Sequence, residues 1–339
     1  KIFMKQQLRV GVIGCGAIGR EHLRRLTDVV PETIVTGVAD YFLPAAQSAA
    51  EMFHCTAFQT GEDLIASPDV DAVVVTSADP SHAAYVLEAI RHKKFVFCEK
   101  PLAQTAEECR QIIAAEQAAG KKLVQVGFMR RYDRGYMAMK HAISSNEIGA
   151  PLMIHAAHRN MSQAPGFETD YAVTRVAIHE IDICRWLLDD EYATAQVLGV
   201  RQSSRTSGEW LNPQIMMLTT RSGQRIDVEV QTDGAYAYDI QCHVVGEDGI
   251  VSLPDPTSVT KRAAAAIHTP LMTDWKDRFI EAYDIEFQEW AKSLLDGAPT
   301  GPSAWDGYVA CVTGDALIRS RQTGKPEDIV LPEKPAMYQ

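Results

Sequence analysis

Over the first 128 residues, short apolar runs alternate with longer stretches of helical spacing. "LRVGVIG" (8–14) precedes "AIGREHLRRLTD" (17–28), and "TIVTGVAD" (33–40) precedes "PAAQSAAEMF" (44–53). "DAVVVTS" (71–77) precedes "PSHAAYVLEAIRHK" (80–93), and "FVFCEK" (95–100) precedes "TAEECRQIIAAEQAAG" (105–120). A last run, "KKLVQVGF" (121–128), closes the series. Strands apolar on both faces and separated by helices predict a parallel sheet covered on both sides. The expected architecture over residues 4–128 is α/β and doubly wound.

After Phe128 the pattern changes. "RRYDRGYMAMKHAISSN" (130–146) reads as a helix, "GAPLMIHAAHRN" (149–160) as a strand, and 173–188 as another helix. Strand-like runs follow at 193–202, 213–221, 224–232 and 238–253, with "SG" (222–223) and "DG" (248–249) as turns. Strands without intervening helices predict an α+β domain over 129–339, with a mostly antiparallel sheet open on one face. Such a face is often closed by a second subunit, so a homo-oligomer is expected. Two terminal helices, 277–297 and 302–324, are candidates to pack back on the first domain.

A length of 339 residues fits two domains. No apolar run of about 18 residues exists to span a membrane, and no apolar leader core precedes the first strand. The formal charge of −11 argues against a nucleic-acid surface. Seven cysteines, an odd count without a C-x-x-C pair, argue against a disulfide framework and for a reducing, cytoplasmic setting. Cys98 reads as a small buried residue ending a strand.

"GVIGCGAIG" gives the first domain its chemistry. Gly14-x-Gly16-x-x-Gly19 follows a strand and opens a helix, as in a Rossmann dinucleotide site. Gly14 allows the tight turn, Gly16 a close approach of backbone to pyrophosphate, and Gly19 close packing of helix on strand. The helix N-terminus, with Ala17 and Ile18, offers amides to the phosphates. Asp40 ends the second strand 21 residues after Gly19. A carboxylate there accepts ribose hydroxyls and repels a 2′-phosphate, and no arginine follows it, so the expected cofactor is NAD. Ser77, His82, Glu99 and Lys100 lie at or beyond the carboxyl ends of later strands and complete the expected cofactor-binding set.

"TRVAIHEID" (174–182) supplies the second chemical feature. On a regular helix Arg175, His179 and Asp182 share one stripe, extended by Trp186. Ala177, Ile181, Cys184 and Leu188 form the opposite, core-facing stripe. No metal is expected. His155 and His158 point to opposite faces of a strand, and "HEIDI" lacks the second histidine of a zinc helix.

Together "GVIGCGAIG", "CEKPLA", "VGFMRRYD", "AHRN" and "HEIDICRWLLDDEY" resemble the Gfo/Idh/MocA oxidoreductases, and among them the inositol 2-dehydrogenases. The resemblance implies tightly held NAD(P), a mostly antiparallel substrate domain and often a tetramer. It assigns proton transfer to Lys100 and His179. It assigns substrate binding to Arg130, His158, Asn160 and Asp182 and, in the later strand, to Tyr236 or Tyr238. The departure is Arg175, where the inositol enzymes carry an aspartate. Arg175 is expected to turn to solvent or pair with an acid such as Glu168, to enter the pocket and change what is bound, or to mark lost activity. Near His179 it would favour the neutral imidazole that a general base needs.

The implied reaction is NAD-dependent oxidation of a secondary ring hydroxyl of a cyclitol, sugar or glycoside, at C3 of a sugar in one version. The alternatives are an NAD-retaining glycoside hydrolase or lyase that oxidises its substrate transiently, and a non-catalytic sugar- or NAD-sensing subunit.

Overall fold

The computed structural model describes residues 7–206, 210–256 and 259–339. The chain divides into two compact units. Among the described residues, one comprises 7–128, 283–311 and 332–339; the other comprises 129–206, 210–256, 259–282 and 312–331. The elements run β1 (Leu8–Ile13), α1 (Ala17–Asp28), β2 (Thr33–Ala39), α2 (Leu43–Phe53), β3 (Thr56–Ala57), α3 (Gly61–Ala66), β4 (Ala72–Val75), α4 (His82–Arg91), β5 (Phe95–Glu99), α5 (Ala106–Ala119) and β6 (Val124–Gly127). Then come α6 (Arg134–Ser144), β7 (Pro151–Arg159), α7 (Ile178–Leu188), β8 (Tyr192–Leu198), β9 (Gln214–Thr220), β10 (Arg225–Gln231), β11 (Asp239–Gly246) and β12 (Ile250–Ser252). The short strands β13 (Lys261–Ala263) and β14 (Ala266–His268) precede α8 (Trp275–Leu295), α9 (Ala304–Thr323) and β15 (Glu327–Asp328).

In the first unit the six strands are parallel in the order β3-β2-β1-β4-β5-β6. The order reverses between β1 and β4, and ligands of such sheets bind outside the carboxyl ends of the strands at that point. Val10, Val12, Val38, Val74 and Phe97 are wholly buried, as strands covered on both faces require. From Tyr283 onward α8 belongs to this unit, and its Phe287, Trp290, Ala291 and Leu294 join the core. The Phe97 and Phe287 rings lie 4.4 Å apart, and burying each large side chain contributes roughly 1.5–3 kcal/mol. Helix α5 starts in a capping box: the Thr105 hydroxyl accepts from the Glu108 amide, and the Glu108 carboxylate accepts from the Thr105 amide. The elements β3 and α3 were not expected; two residues of strand and six of helix are too short to show a period.

In the second unit the sheet order is β12-β11-β7-β10-β9-β8-β15. All pairs are antiparallel except β7 with β10, which makes the sheet mixed. "QIMMLTT" and "RIDVEVQ" alternate as a one-sided sheet demands. Met216, Leu218, Ile226, Val228 and Val230 are buried, while Leu152 and Met153 of β7 stay exposed. The helix expected over 130–146 is split. A 3-10 turn, Met129–Tyr132, comes first, and Asp133 then caps α6 by accepting the amides of Gly135 and Tyr136.

The helix expected over 173–188 is also two structures. Residues Ala172–Ala177 form a π-helical segment, and α7 follows at Ile178. The wider turn alters the angular step between Arg175 and His179, so the single stripe drawn through Arg175, His179 and Asp182 does not hold. Nor is α7 amphipathic. Every residue from Ile178 to Leu188 except Trp186 is buried, whereas Arg175 is exposed.

Candidate active site

At the carboxyl edge of the first sheet, the glycine loop is fixed by sterics. Gly14 has φ +102°, and a Cβ there would lie 2.6 Å from the backbone of Thr76 and Ser77. A Cβ on Gly19 would lie 1.9 Å from the Gly14 carbonyl oxygen. A Cβ on Gly16 would meet nothing within 4 Å, so the backbone there faces open space. No side chain caps the N-terminus of α1 and its first turn holds no acid. The amides of Ala17, Ile18 and Gly19 therefore suit an anion such as a pyrophosphate. Asp40 accepts the Cys15 amide (2.6 Å) and the Phe42 amide (2.8 Å), which ties the glycine loop to the end of β2. Each carboxylate oxygen keeps capacity for a ribose hydroxyl. The residues present thus fit a dinucleotide.

Lys100 follows β5 directly and is partly exposed. Glu99, expected to touch the cofactor, is instead buried and spent on protein partners. Its Oε1 accepts from His22 Nε2 (2.7 Å) and its Oε2 from the Lys100 amide (3.2 Å). Arg25 donates to His22 Nδ1 (3.1 Å) and to Asp284 (2.8 Å). An arginine only donates, so His22 is the neutral Nε2–H tautomer. Burial pushes the His22 pKa down. Burial opposes ionisation of Glu99, but His22 and Lys100 outweigh it and hold the carboxyl below its usual range. His22 and Arg25 were not foreseen; their only signal was polar residues at i, i+3 on a face shared with Leu23 and Leu26. His82, also expected at the cofactor, is buried with both ring nitrogens on backbone carbonyls, Pro101 O at 2.7 Å and Ser77 O at 3.0 Å. It supports the loops and has no ring nitrogen left for a ligand. The Ser77 hydroxyl pairs with that of Ser81 at 2.6 Å.

The second unit carries a buried polar cluster. Arg130, on the 3-10 turn after β6, is wholly buried and its Nη1 donates to Glu180. Glu180 Oε2 lies 3.0 Å from His158 Nδ1, and Arg130 Nη2 lies 3.2 Å from the same nitrogen. That nitrogen serves one of them at a time, and the shorter approach to a carboxylate favours Nδ1–H donating to Glu180. Burial raises the Glu180 pKa, but Arg130 and His158 more than reverse this and bring it to about 2. Burial pushes the Tyr238 phenol up to about 12, against the opposing charge of Arg130. The His158 ring centroid is 5.7 Å from Tyr238 and 6.2 Å from His179.

Arg130, His158, His179 and Tyr238 are therefore brought together, with Glu180 as the unforeseen centre. Nothing in the sequence marks Glu180 except its place after the histidine, because its partners lie 22 and 50 residues away. Asn160 stands just past the end of β7, and its buried Oδ1 has no partner among the described residues. Asp182 departs from expectation. It is buried, with both carboxylate oxygens held by Arg131 at 2.9 and 2.5 Å, which is a structural ion pair. Tyr236 is about half exposed (51%) and donates to Asp239 at 2.6 Å, leaving Tyr238 as the tyrosine of the cluster. The Arg175 guanidinium lies 3.7 Å from the centroid of the Tyr171 ring, a close cation–π contact.

The chain is similar to known proteins over nearly its whole length. A family model described as "Oxidoreductase family, NAD-binding Rossmann fold" matches residues 8–128, and one described as "Oxidoreductase family, C-terminal alpha/beta domain" matches 140–329. The chain is 51% identical over 333 residues to an inositol 2-dehydrogenase of Burkholderia cenocepacia, covering 98% of this chain and 99% of that protein. It is 50% identical over the same length to an inositol 2-dehydrogenase of Klebsiella pneumoniae, with the same coverage. The structure of myo-inositol dehydrogenase from Lactobacillus casei in complex with NAD(H) and myo-inositol superposes with a TM-score of 0.96 at 40% identity, covering 98% of this chain and all of that one. The chain belongs to the Gfo/Idh/MocA family of oxidoreductases, with an NAD-binding Rossmann domain and an α/β second domain.

Proposed function

We propose that this protein is an NAD-dependent dehydrogenase that oxidises a secondary ring hydroxyl of a cyclic polyol of the inositol class to a ketone. The relatives named above act on inositols, and the glycine cradle fits NAD. One observation in the second unit carries the substrate reading: the buried, unpartnered Oδ1 of Asn160 beside a strand whose His158 joins the Arg130–Glu180 cluster. A buried acceptor of this kind is satisfied by a ligand hydroxyl.

In this reading Gly14, Gly16, Gly19 and Asp40 would hold NAD, which would supply the hydride acceptor. His179 is the general base for the hydroxyl proton, and the Lys100 ammonium is the donor that stabilises developing negative charge. His158, Asn160 and Tyr238 orient the remaining hydroxyls. Arg130 acts mainly by fixing Glu180, which in turn holds His158, and Asp182 acts by fixing Arg131. Arg175, stacked on Tyr171 and exposed, widens the substrate class toward rings bearing a carboxylate or an aglycone. Seven free thiols support a reducing, cytoplasmic location. The exposed Leu152 and Met153 on the second sheet support a homo-oligomer, with a tetramer as the expected size.

A screen of inositols, free hexoses, sugar acids and glycosides with NAD tests this directly. Sustained NADH absorbance with a cyclitol supports it. Product formed without net NADH would favour a hydrolase or lyase that recycles its NAD. Lys100→Met is expected to abolish turnover while NADH still binds; ordinary activity in that variant removes Lys100 from the mechanism.

A further inference from the structure

Two backbone carbonyls meet the ring of one buried histidine. His82 opens α4 and is 1% exposed. Its Nδ1 lies 2.7 Å from the oxygen of Pro101, and its Nε2 lies 3.0 Å from the oxygen of Ser77. A carbonyl oxygen only accepts, so each contact is a hydrogen bond only if the ring nitrogen carries a proton. Neutral imidazole carries one. Its bare nitrogen would face an oxygen lone pair at hydrogen-bond distance, which is repulsive as well as unsatisfied.

We propose that His82 is held as the doubly protonated imidazolium and is a positioning residue. It clamps the segment after β4 to the segment after β5 and so fixes Lys100, the residue before Pro101. The segments it joins already carry the functional backbone. Ser77 lies against Gly14 of the glycine loop, and the Lys100 amide is pinned by Glu99. The titratable group facing the ring from β5 is Cys98, whose thiol donates to the Glu99 carbonyl at 3.3 Å. Asp79 lies on the turn ahead of α4, and Glu99 and Lys100 follow Cys98. The positive end of the α4 dipole and the burial of the ring both oppose the charge. Burial opposes the charge, while the Pro101 and Ser77 carbonyls, with the Cys98 sulfur, raise the pKa above the ordinary imidazole value.

This inference gives the proposed dehydrogenase a further positioning residue, but its first test does not depend on activity. Histidine in the whole protein is labelled with 15N, and ring N–H correlations are recorded at pH 8, where exposed histidines are neutral. One histidine is expected to show both ring protons, and its signal should vanish in His82→Gln, or in His82→Asn should the first variant fail to fold. A spectrum with no doubly protonated ring at pH 8 overturns the proposal, whatever either variant does. The second test is kinetic. Loss of one charge-assisted hydrogen bond is expected to lower kcat by about tenfold or more in His82→Gln, with NADH affinity changed by less than about threefold. Equal loss of kcat and of NADH affinity would show a general structural role and refute positioning of Lys100. If the wild type is inactive on every substrate screened, the reading of the reaction fails while the spectrum still decides the charge of His82.

Discussion

Replacing Glu180 by glutamine keeps the side-chain shape and removes one buried negative charge. The Arg130 guanidinium, wholly buried against it, would then stand without its counter-ion. Truncating one member of a buried pair costs about 3–5 kcal/mol, because the other charge is left desolvated. An independent figure comes from the acid itself. Its pKa falls from an ordinary 4.5 to about 2 in the folded protein, and about 1.4 kcal/mol per unit makes this about 3 kcal/mol. A native carboxyl with a depressed pKa stabilises fully above about pH 4.5, and this contribution fades as the pH falls toward 2. At pH 7 the variant is therefore expected to unfold about 6–12 °C lower, with the gap closing below pH 4. Thermal unfolding followed by circular dichroism at several pH values measures both. Combining Glu180→Gln with Arg130→Met should recover at least half of the loss, since no unpaired charge remains. A midpoint within 2 °C of wild type at pH 7, or a double variant worse than the sum of the single ones, would refute the argument.

Three further outcomes separate the roles of individual residues. Gly16→Ala should fold normally, because its Cβ meets open space, but should weaken NAD binding at least about tenfold by blocking the backbone approach. Gly14→Ala should lose about 1–3 kcal/mol or more of stability from its positive φ alone; comparing unfolding midpoints with cofactor titrations checks both, and a destabilised Gly16→Ala would remove the cradle reading. Arg175→Asp should leave the fold intact, since Arg175 is exposed, and should raise kcat/KM for neutral cyclitols relative to carboxylated rings. An unchanged ratio in paired assays would exclude Arg175 from specificity.

What the sequence makes legible follows from the range over which each interaction acts. Alternating apolar runs are local, so the first sheet and its helices, β3 and α3 apart, could be read to within a few residues. The glycine spacing was equally readable, since Gly14 and Gly19 are demanded by contacts that the strand–turn–helix pattern itself creates. Periodicity failed at 172–177, where a 3.6-residue rule was applied to a wider π turn. The error moved Arg175 onto a face it does not share with His179. The polar cores were invisible for another reason. Glu180 meets Arg130 across 50 residues and His22 meets Glu99 across 77, and no local pattern distinguishes such acids from solvated ones. Asp182 was half legible: a carboxylate near a candidate base suggests a ligand, and no local pattern shows that Arg131 binds both its oxygens.

The two candidate proton-transfer groups share one design, seen separately in each unit. Lys100 follows a glutamate buried among His22 and Arg25, and His179 precedes a glutamate buried among Arg130 and His158. Neither arrangement is the stablest use of those positions, because apolar side chains of similar volume are often as good or better in a core. What a filled apolar core cannot do is fix the direction of a polar neighbour. A carboxylate with each oxygen assigned to a different partner holds the adjoining backbone and ring within the narrow tolerance that acid–base chemistry requires. The stability lost in Glu180→Gln and the activity lost with it should therefore not scale together. Restoring stability by also replacing Arg130 should leave turnover low, because the orientation of His158 would not return.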